Sequence, residues 1–157
     1  MAPITIRPAA AEDEAALVEG NRALALETEG RALDVAVLRR GVRRVLHTAV
    51  GATYFVATVG PSGDVVGQLM ITTEWSDWRS APVWWIQSVY VSPPARQAGV
   101  FQALYETTCA RARAAGAAGV RLYVDTRNQR AQAVYERMGM NGVIDGVFEL
   151  LFSPEES

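Results

Sequence analysis

Apolar positions follow two different periods along this chain, and the point where the period changes organises the rest. Residues 84–91 are almost all apolar, β-branched or aromatic, which is typical of a buried strand. The Ser-Pro-Pro sequence at 92–94 ends this strand, because proline has no N–H to donate to a neighbouring strand. From Gln97 onward apolar residues recur every three or four positions, as on one face of a helix. The sequence therefore predicts a strand, a short turn at 96–99 and a helix.

The remaining patterns predict both hairpins and helices. Runs of strand-forming residues predict strands at 4–7, 53–59, 65–73, 84–91, 120–125, 143–144 and 147–152, with a loop at 75–82. Helical spacing and capping residues predict helices at 12–28, 34–46, 97–115 and 128–138. The order β-α-α-β-β-β-α-β-α-β-β indicates an α/β (α+β) fold around a mixed, largely antiparallel sheet. The strands that flank the long helix should be parallel, with a right-handed crossover.

The composition limits the classes of protein to which the chain can belong. Its 157 residues, half of them hydrophobic, favour one domain over 1–157. The formal net charge of −2 and the absence of a basic run argue against a nucleic-acid partner. No apolar run is long enough for a membrane span or a signal peptide, so we expect a cytoplasmic protein. Cys109 is the only cysteine, so we predict neither an internal disulfide nor a metal site.

The turn at 96–99 has the composition of an anion-binding site. The first N–H groups of a helix have no partner within the helix, and together with the helix dipole they suit a phosphate. Gly99 has no Cβ, so a phosphate oxygen can approach the backbone, and Arg96 adds a positive charge. Each N–H bond to a charged oxygen contributes about 1.5–3 kcal/mol, more than the roughly 0.3–1 kcal/mol from the dipole. Taken alone, the pattern is equally compatible with an ordinary turn and a surface arginine.

A second pattern follows the strand predicted at 120–125. The residues that stand at fixed spacing along its helix are Asn128, Ala131, Tyr135, Gly139 and Met140. Together with Arg-Gln-Ala-Gly-Val-Phe at 96–101, this pattern resembles the two signatures of the GNAT superfamily of acetyl-coenzyme A-dependent N-acetyltransferases. The first of these signatures is Gln/Arg-x-x-Gly-x-Gly/Ala, and this chain departs from it at Phe101. The order of predicted elements is also that of the GNAT fold, so the resemblance covers almost the whole chain.

The resemblance implies that acetyl-coenzyme A binds where the strands at 84–91 and 120–125 move apart. The cofactor-binding residues implied in this way are Val89, Tyr90, Val91, Arg96, Gln97, Ala98, Gly99, Val100, Phe101, Asn128, Ala131 and Tyr135. The residues of the turn would hold the pyrophosphate, and Asn128 the pantetheine arm. Tyr135 would donate a hydrogen bond to the developing thiolate, since full transfer from a phenol to a thiolate is uphill by about 2 kcal/mol.

The implied reaction is direct attack of an amine on the thioester, which needs a base because a primary amine is protonated at pH 7. Where some members of the family carry a catalytic glutamate, this chain has Trp85. Glu74 is our candidate base, with Asp77, Glu27 and Glu29 as alternatives. The tryptophans at 75, 78 and 84 would form an aromatic, acidic pocket for a cationic amine, or merely cover a sheet edge. The residues assigned to the acceptor are Glu27, Glu29, Trp75, Asp77, Trp78 and Gln87.

The leading hypothesis is an enzyme that moves acetyl from acetyl-coenzyme A to an amine. The alternative is a noncatalytic acyl-coenzyme A sensor or regulatory subunit that uses the same pocket. Tyr135 favours the enzyme, because a sensor has no need of a proton donor. The acceptor stays open between a polyamine, an antibiotic, an amino acid and a protein N-terminus, and the family resemblance is compatible with a homodimer.

Overall fold

In the part of the chain that the structure describes, residues 2–143 and 145–152, five strands form one sheet in the order β1-β2-β3-β4-β5. The structure is a computed structural model. Its strands are β1 (Ile4–Pro8), β2 (Ala52–Val59), β3 (Asp64–Ser76), β4 (Ala81–Val91) and β5 (Gly119–Leu122). Strands β1 to β4 pair antiparallel, whereas β4 and β5 are parallel. The predicted α/β class and its mixed, largely antiparallel sheet are confirmed.

The helices form at the predicted places. They are α1 (Glu14–Glu29), α2 (Val35–His47), α3 (Val100–Ala114) and α4 (Gln129–Arg137), and short 3₁₀ helices precede α1 at Ala11–Asp13 and α3 at Pro93–Ala95. Asp34 caps α2 as predicted, because its side chain accepts hydrogen bonds from the N–H groups of Ala36 and Val37. Gly30 ends α1 in the left-handed conformation, with φ 61°.

Each face of the sheet carries its own apolar core. Helix α3 packs on one face through the buried Leu104. Helices α1 and α2 pack on the other face through Leu17 and Val42. Because successive side chains of a strand point to opposite faces, neighbours in β3 serve different cores. Leu69 belongs to the α3 core, and Met70 packs against the α1/α2 core.

The chain divides into two compact units, one that ends at Tyr123 and one that begins at Val124. The first unit contains the sheet with α1, α2 and α3. The second contains α4, whose first turn is capped by Asn128: its side chain accepts from the Ala131 N–H at 3.0 Å. Gly139 follows this helix with φ 87°, which confirms the predicted helix end. The assignment of 1–157 to a single domain stays a prediction.

The loop predicted at 75–82 is shorter in the structure. Strand β3 continues to Ser76 and β4 begins at Ala81, so that residues 77–80 alone form the turn. Strand β4 tolerates Pro82 because the hydrogen bond that this residue makes there uses its carbonyl and not the N–H group that proline lacks. Its carbonyl accepts a hydrogen bond from the Ala118 N–H at 2.8 Å.

The C-terminal hairpin predicted at 143–144 and 147–152 is not formed by the described residues. Residue 143 and residues 145–152 are not in strands, and Ile144 lies outside the description. The adjacent Leu150 and Leu151 interrupt the alternation, and both are exposed, as is Phe148. An alternating pattern specifies a strand where one of its faces is buried, and burial is missing here.

Arg7 and Asp13 connect β1 with the start of α1. The buried Asp13 carboxylate accepts from Arg7 Nη1 at 2.7 Å, from Arg7 Nη2 at 2.9 Å and from the Ala10 N–H at 2.7 Å. The hydrogen bond from Arg7 is the main reason why the pKa of Asp13 lies below its usual value. A lowered pKa in the folded state stabilises the fold above the unfolded-state pKa of about 3.9, and this stabilisation is lost as the pH falls through the folded-state pKa.

We expect Asp13→Asn to lower the free energy of unfolding by about 2–3 kcal/mol at pH 7, because Arg7 loses its charged partner. Urea denaturation of both proteins at pH 7 and at pH 3 measures the effect. The difference between them should shrink at pH 3, because the carboxyl group of the unfolded wild type is largely protonated below its pKa of about 3.9. Equal stability at pH 7 would contradict the role of this ion pair.

Candidate functional site

The turn between β4 and α3 has the backbone geometry of an anion-binding site. Gln97 and Gly99 both have positive φ, 64° and 79°. For Gln97 this conformation costs about 1–2 kcal/mol, a strain that is often kept at ligand sites. Gly99 caps α3 without a side-chain acceptor for the first N–H groups of the helix. A Cβ on Gly99 would meet no atom within 4 Å, so the space beside the turn is open.

Strand β3 fixes the start of α3 by a close approach. Val100, the first residue of α3, is almost completely buried. A Cβ on Gly67 would come within 2.7 Å of Val100 Cγ1, closer than real contacts allow. Position 67 therefore requires glycine, whose lack of a side chain allows the first residue of α3 to pack directly against β3.

Strand β4 is irregular where it leaves β5. Its register with β3 shifts between Gln68 and Met70, and Ser88 has φ 54°, so β4 carries a β-bulge. Pairing with β5 runs from Val83 to Ile86 and stops there. Among the described residues, the part of β4 after Ile86 thus has no β5 partner. This unpaired edge is called the gap, and it lies where the family resemblance implies that the two strands move apart.

The backbone of Val91 faces this gap. The Ser92 N–H donates to the Val66 carbonyl at 2.9 Å, so the next pair along the ladder, Val91 and Gly67, is not hydrogen-bonded. The N–H and C=O of Val91 therefore point away from β3. The carbonyl accepts a hydrogen bond from Arg96 Nε at 2.9 Å.

The side chain of Arg96 connects the turn with the end of α1. Its guanidinium donates to Glu27 at 2.6 Å and lies over the ring of Tyr90, 5.6 Å from the centroid. The Tyr90 hydroxyl donates to the other oxygen of Glu27 at 3.4 Å. Glu27, assigned to the acceptor, thus holds Arg96, which was assigned to the phosphate. Both charged side chains are nearly half exposed, so the ion pair contributes only about 0–1 kcal/mol to stability.

The other predicted cofactor residues fall into two groups. Phe101, in the first turn of α3, contacts the ring of Tyr105 one turn further on, with 6.3 Å between the centroids. Asn128, Ala131 and Tyr135 belong to the second unit. Burial raises the pKa of Tyr135, so its hydroxyl keeps its proton at neutral pH.

Sequence reasoning missed a cluster on the face that carries α1 and α2. Trp85 pairs with Thr72 and with Arg121, so these side chains project from one face. The indole of Trp85 stacks on the Tyr123 ring with 4.5 Å between centroids, and the Arg121 guanidinium lies 5.8 Å from the indole centroid. Glu74 accepts from Trp85 Nε1 at 3.2 Å and from Arg121 Nη1 at 3.5 Å.

The alternation of residues 120–123 contained the signal for this cluster. Val120 and Leu122 pack against the α3 core, so the residues between and after them must face the other way. Gln87, one of the predicted acceptor residues, lies on the same face and donates to the Thr72 hydroxyl at 2.8 Å.

The predicted aromatic, acidic pocket is not assembled. Trp75 follows Glu74 directly in β3, and successive side chains of a strand point to opposite faces, so the two cannot share a pocket. Trp84 packs against the α3 core. Trp78 lies in the hairpin turn and is 92% exposed. Asp77 accepts a hydrogen bond from the backbone N–H of Trp78 in that turn. Glu74 contacts Trp85 instead, and Glu29 is an exposed residue at the end of α1.

Two classes of site are absent from residues 2–143 and 145–152. No group of three or more histidine, cysteine, aspartate or glutamate side chains there could hold a metal ion. No helix in these ranges has both the length and the apolar character needed to cross a membrane.

Comparison with known proteins gives one family. The model of the acetyltransferase (GNAT) family matches residues 22–140. A "possible acetyltransferase" from Clostridium difficile 630 is 38% identical, with a TM-score of 0.85 over 96% of this chain and 99% of that one. A ribosomal-protein-alanine N-acetyltransferase from Brucella melitensis biovar Abortus 2308 has the same fold at 14% identity (TM-score 0.76, 96% and 100% covered). So does a transcriptional regulator from Bacillus halodurans C-125 at 23% identity (TM-score 0.78, 95% and 100% covered). No curated protein matches the chain.

Proposed function

Because the chain belongs to the GNAT acetyltransferase family, we propose that it moves the acetyl group of acetyl-coenzyme A to the nitrogen of an amine. The observation that carries this proposal is the open, glycine-capped turn at the start of α3. This turn follows the edge of β4 that has no β5 partner after Ile86. A helix start supplies N–H donors for the pyrophosphate, and the edge of β4 supplies backbone groups for the pantetheine.

The residues present fit this cofactor. The N–H groups of the turn would hold the pyrophosphate oxygens, in the space that Gly99 leaves open. Backbone groups of Val89 and Val91 would bind the amides of the pantetheine. Arg96 would act mainly by ordering the turn, since its guanidinium is already engaged by Glu27 and by the Val91 carbonyl. Bound acetyl-coenzyme A would supply the activated acetyl thioester.

The base is better sought at Glu27 than at Glu74. Glu74 pairs with Val83, four residues before Gln87, so its backbone lies roughly 13 Å along β4 from the start of the gap, and its carboxylate is already engaged by Trp85 and Arg121. Glu27 contacts the hydroxyl of Tyr90, which lies three residues after Gln87 and therefore in the unpaired part of β4. A base must come within reach of the amine directly or through one water. We therefore assign proton removal to Glu27, acting through water.

Acetyl-coenzyme A should be turned over with at least one member of a broad amine panel, as read by release of free thiol. Calorimetric titration with acetyl-coenzyme A and with coenzyme A measures binding separately. Binding without turnover on any amine would favour the sensor over the enzyme. Absence of binding would remove the proposal.

Glu27→Gln should lower kcat/KM for the amine by at least about tenfold. This minimum lies below the usual range of about 10²–10⁴ for a positioned base. Steady-state kinetics across pH measures this, with Glu29→Gln as the matched control two residues further along α1. Equal losses in the two variants would mean that only the general charge near the site matters. A wild-type rate for Glu27→Gln would exclude the residue as base.

Gly67→Ala should weaken binding of acetyl-coenzyme A and destabilise the fold by about 1–3 kcal/mol, because the added methyl group pushes on Val100. Calorimetry and urea denaturation measure the two effects. The double variant Gly67→Ala/Val100→Ala removes the colliding Cγ1 atom and should recover part of the affinity. If the single variant binds as wild type does, the contact does not position the turn.

A further inference from the structure

We propose that the acceptor amine also carries an anionic oxygen group, a carboxylate or a phosphate, and that Arg121 binds this group while Trp85 and Tyr123 support the rest of the molecule. These three side chains are called the platform below. The inference rests on the proposed function, since it names the class of acceptor for the same reaction.

The hydrogen-bonding capacity of Arg121 is the first argument. A guanidinium has five N–H donors, and the contact of Arg121 with Glu74 is long, at 3.5 Å. Arg96, the other arginine beside β4, is engaged by the Val91 carbonyl at 2.9 Å and by Glu27 at 2.6 Å. The Arg121 side chain is also 41% exposed. Of the two, Arg121 keeps the greater capacity for an incoming anion.

The orientation of Arg121 is the second argument. Its guanidinium lies over the Trp85 indole, and the indole stacks on the Tyr123 ring. A planar guanidinium that is fixed in this way loses little freedom when its N–H groups bind the two oxygens of a carboxylate or phosphate. Tyr123 is 64% exposed, so it leaves an aromatic surface for an apolar part of the acceptor to cover.

The position of the platform is the third argument. Trp85 lies two residues before Gln87, so the platform is roughly 7 Å from the start of the gap along β4. An acceptor spans this distance when several bonds separate its amine from its anionic group. Its anion would rest on Arg121, and its amine would then reach the gap.

The charges on this face also differ from the acidic pocket that the sequence predicts. Glu74 accepts hydrogen bonds from both Trp85 and Arg121, so its charge is used to hold the platform. A purely cationic acceptor would meet the positive charge of Arg121. An acceptor that carries an anion several bonds from its amine meets complementary groups.

Matched acceptor pairs test the proposal. 5-Aminopentanoate is compared with 5-aminopentanamide, and O-phosphoethanolamine with ethanolamine, so that the two arms separate carboxylate from phosphate. In at least one pair the anionic member should have the higher kcat/KM, by about 10- to 100-fold. Arg121→Gln should abolish this preference by lowering the rate with the anionic member, and Arg113→Gln, on α3, should keep it. Equal use of both members of each pair by the wild type, or a preference that survives Arg121→Gln, would overturn the inference.

A binding measurement keeps this test separate from the proposed function. If no amine is acetylated, 5-acetamidopentanoate and its amide are titrated by calorimetry in the presence of coenzyme A, with O-phosphoethanolamine as the phosphate probe. Tighter binding of an anionic probe than of its neutral partner, lost in Arg121→Gln, would support the platform even where acetyl transfer has failed. Failure of both anionic probes to bind at millimolar concentration would overturn it.

Discussion

Gly99→Glu should abolish measurable binding of acetyl-coenzyme A while the protein stays folded. The new side chain enters the space that is open beside the turn, and its carboxylate would face the pyrophosphate. A non-glycine residue at φ 79° costs about 1–2 kcal/mol, which is small beside the roughly 5–15 kcal/mol of a typical fold. We expect an affinity loss of about 100-fold or more, which corresponds to about 2.7 kcal/mol. Calorimetry with acetyl-coenzyme A measures the loss, and circular dichroism checks the fold.

Gly99→Gln is the matched control for charge, because it has the same size and the same backbone strain as Gly99→Glu. Its affinity should lie between those of the wild type and Gly99→Glu. Gly99→Asn adds a small residue that tolerates the left-handed conformation and should bind best of the three variants. Wild-type affinity in Gly99→Glu would show that the turn does not hold the pyrophosphate.

Tyr135→Phe should leave the affinity for acetyl-coenzyme A unchanged and lower kcat and kcat/KM together by about 10², the low end for a positioned proton donor. Burial raises the pKa of Tyr135, so in the proposed reaction the hydroxyl would keep its proton and act by hydrogen bonding more than by full transfer. The ring and its packing remain, so stability should change little. Steady-state kinetics with chemistry shown to be rate-limiting measures the effect.

Tyr105→Phe is a useful comparison, because burial and Cys109 raise the pKa of Tyr105 to about 12 on a different helix. This variant should turn over as the wild type does. A thioester with a more acidic leaving thiol should reduce the deficit of Tyr135→Phe, since less help is then needed. If the kcat of Tyr135→Phe stays within about threefold of wild type, Tyr135 is a packing residue.

The sequence predicts those features that depend on neighbouring residues. The proline-ended strand, the glycine-capped helix and the Asp34 cap are local, and the structure has all of them. One local rule, the alternation of side chains along a strand, contradicts the predicted pocket. The aromatic pocket failed because Glu74 and Trp75 are adjacent in the chain and therefore face opposite sides of the sheet.

Two contacts of the candidate site depend on how separate elements pair and pack. The bond between Arg96 and Glu27 joins residues 69 positions apart, and its existence depends on how α1 lies on the sheet. The platform depends on the parallel register that places Arg121 opposite Trp85. Both contacts bring together residues from elements that a sequence pattern treats separately.

The ion pair between Arg96 and Glu27 also has a kinetic consequence. Opposite charges 2.6 Å apart form a dipole, whose field falls off with distance much faster than that of a single charge. Arg96 therefore attracts a distant, highly charged anion only weakly. The association rate of such a ligand with the turn should accordingly depend little on ionic strength, and selectivity at the turn would arise after encounter, in the rate at which the ligand leaves.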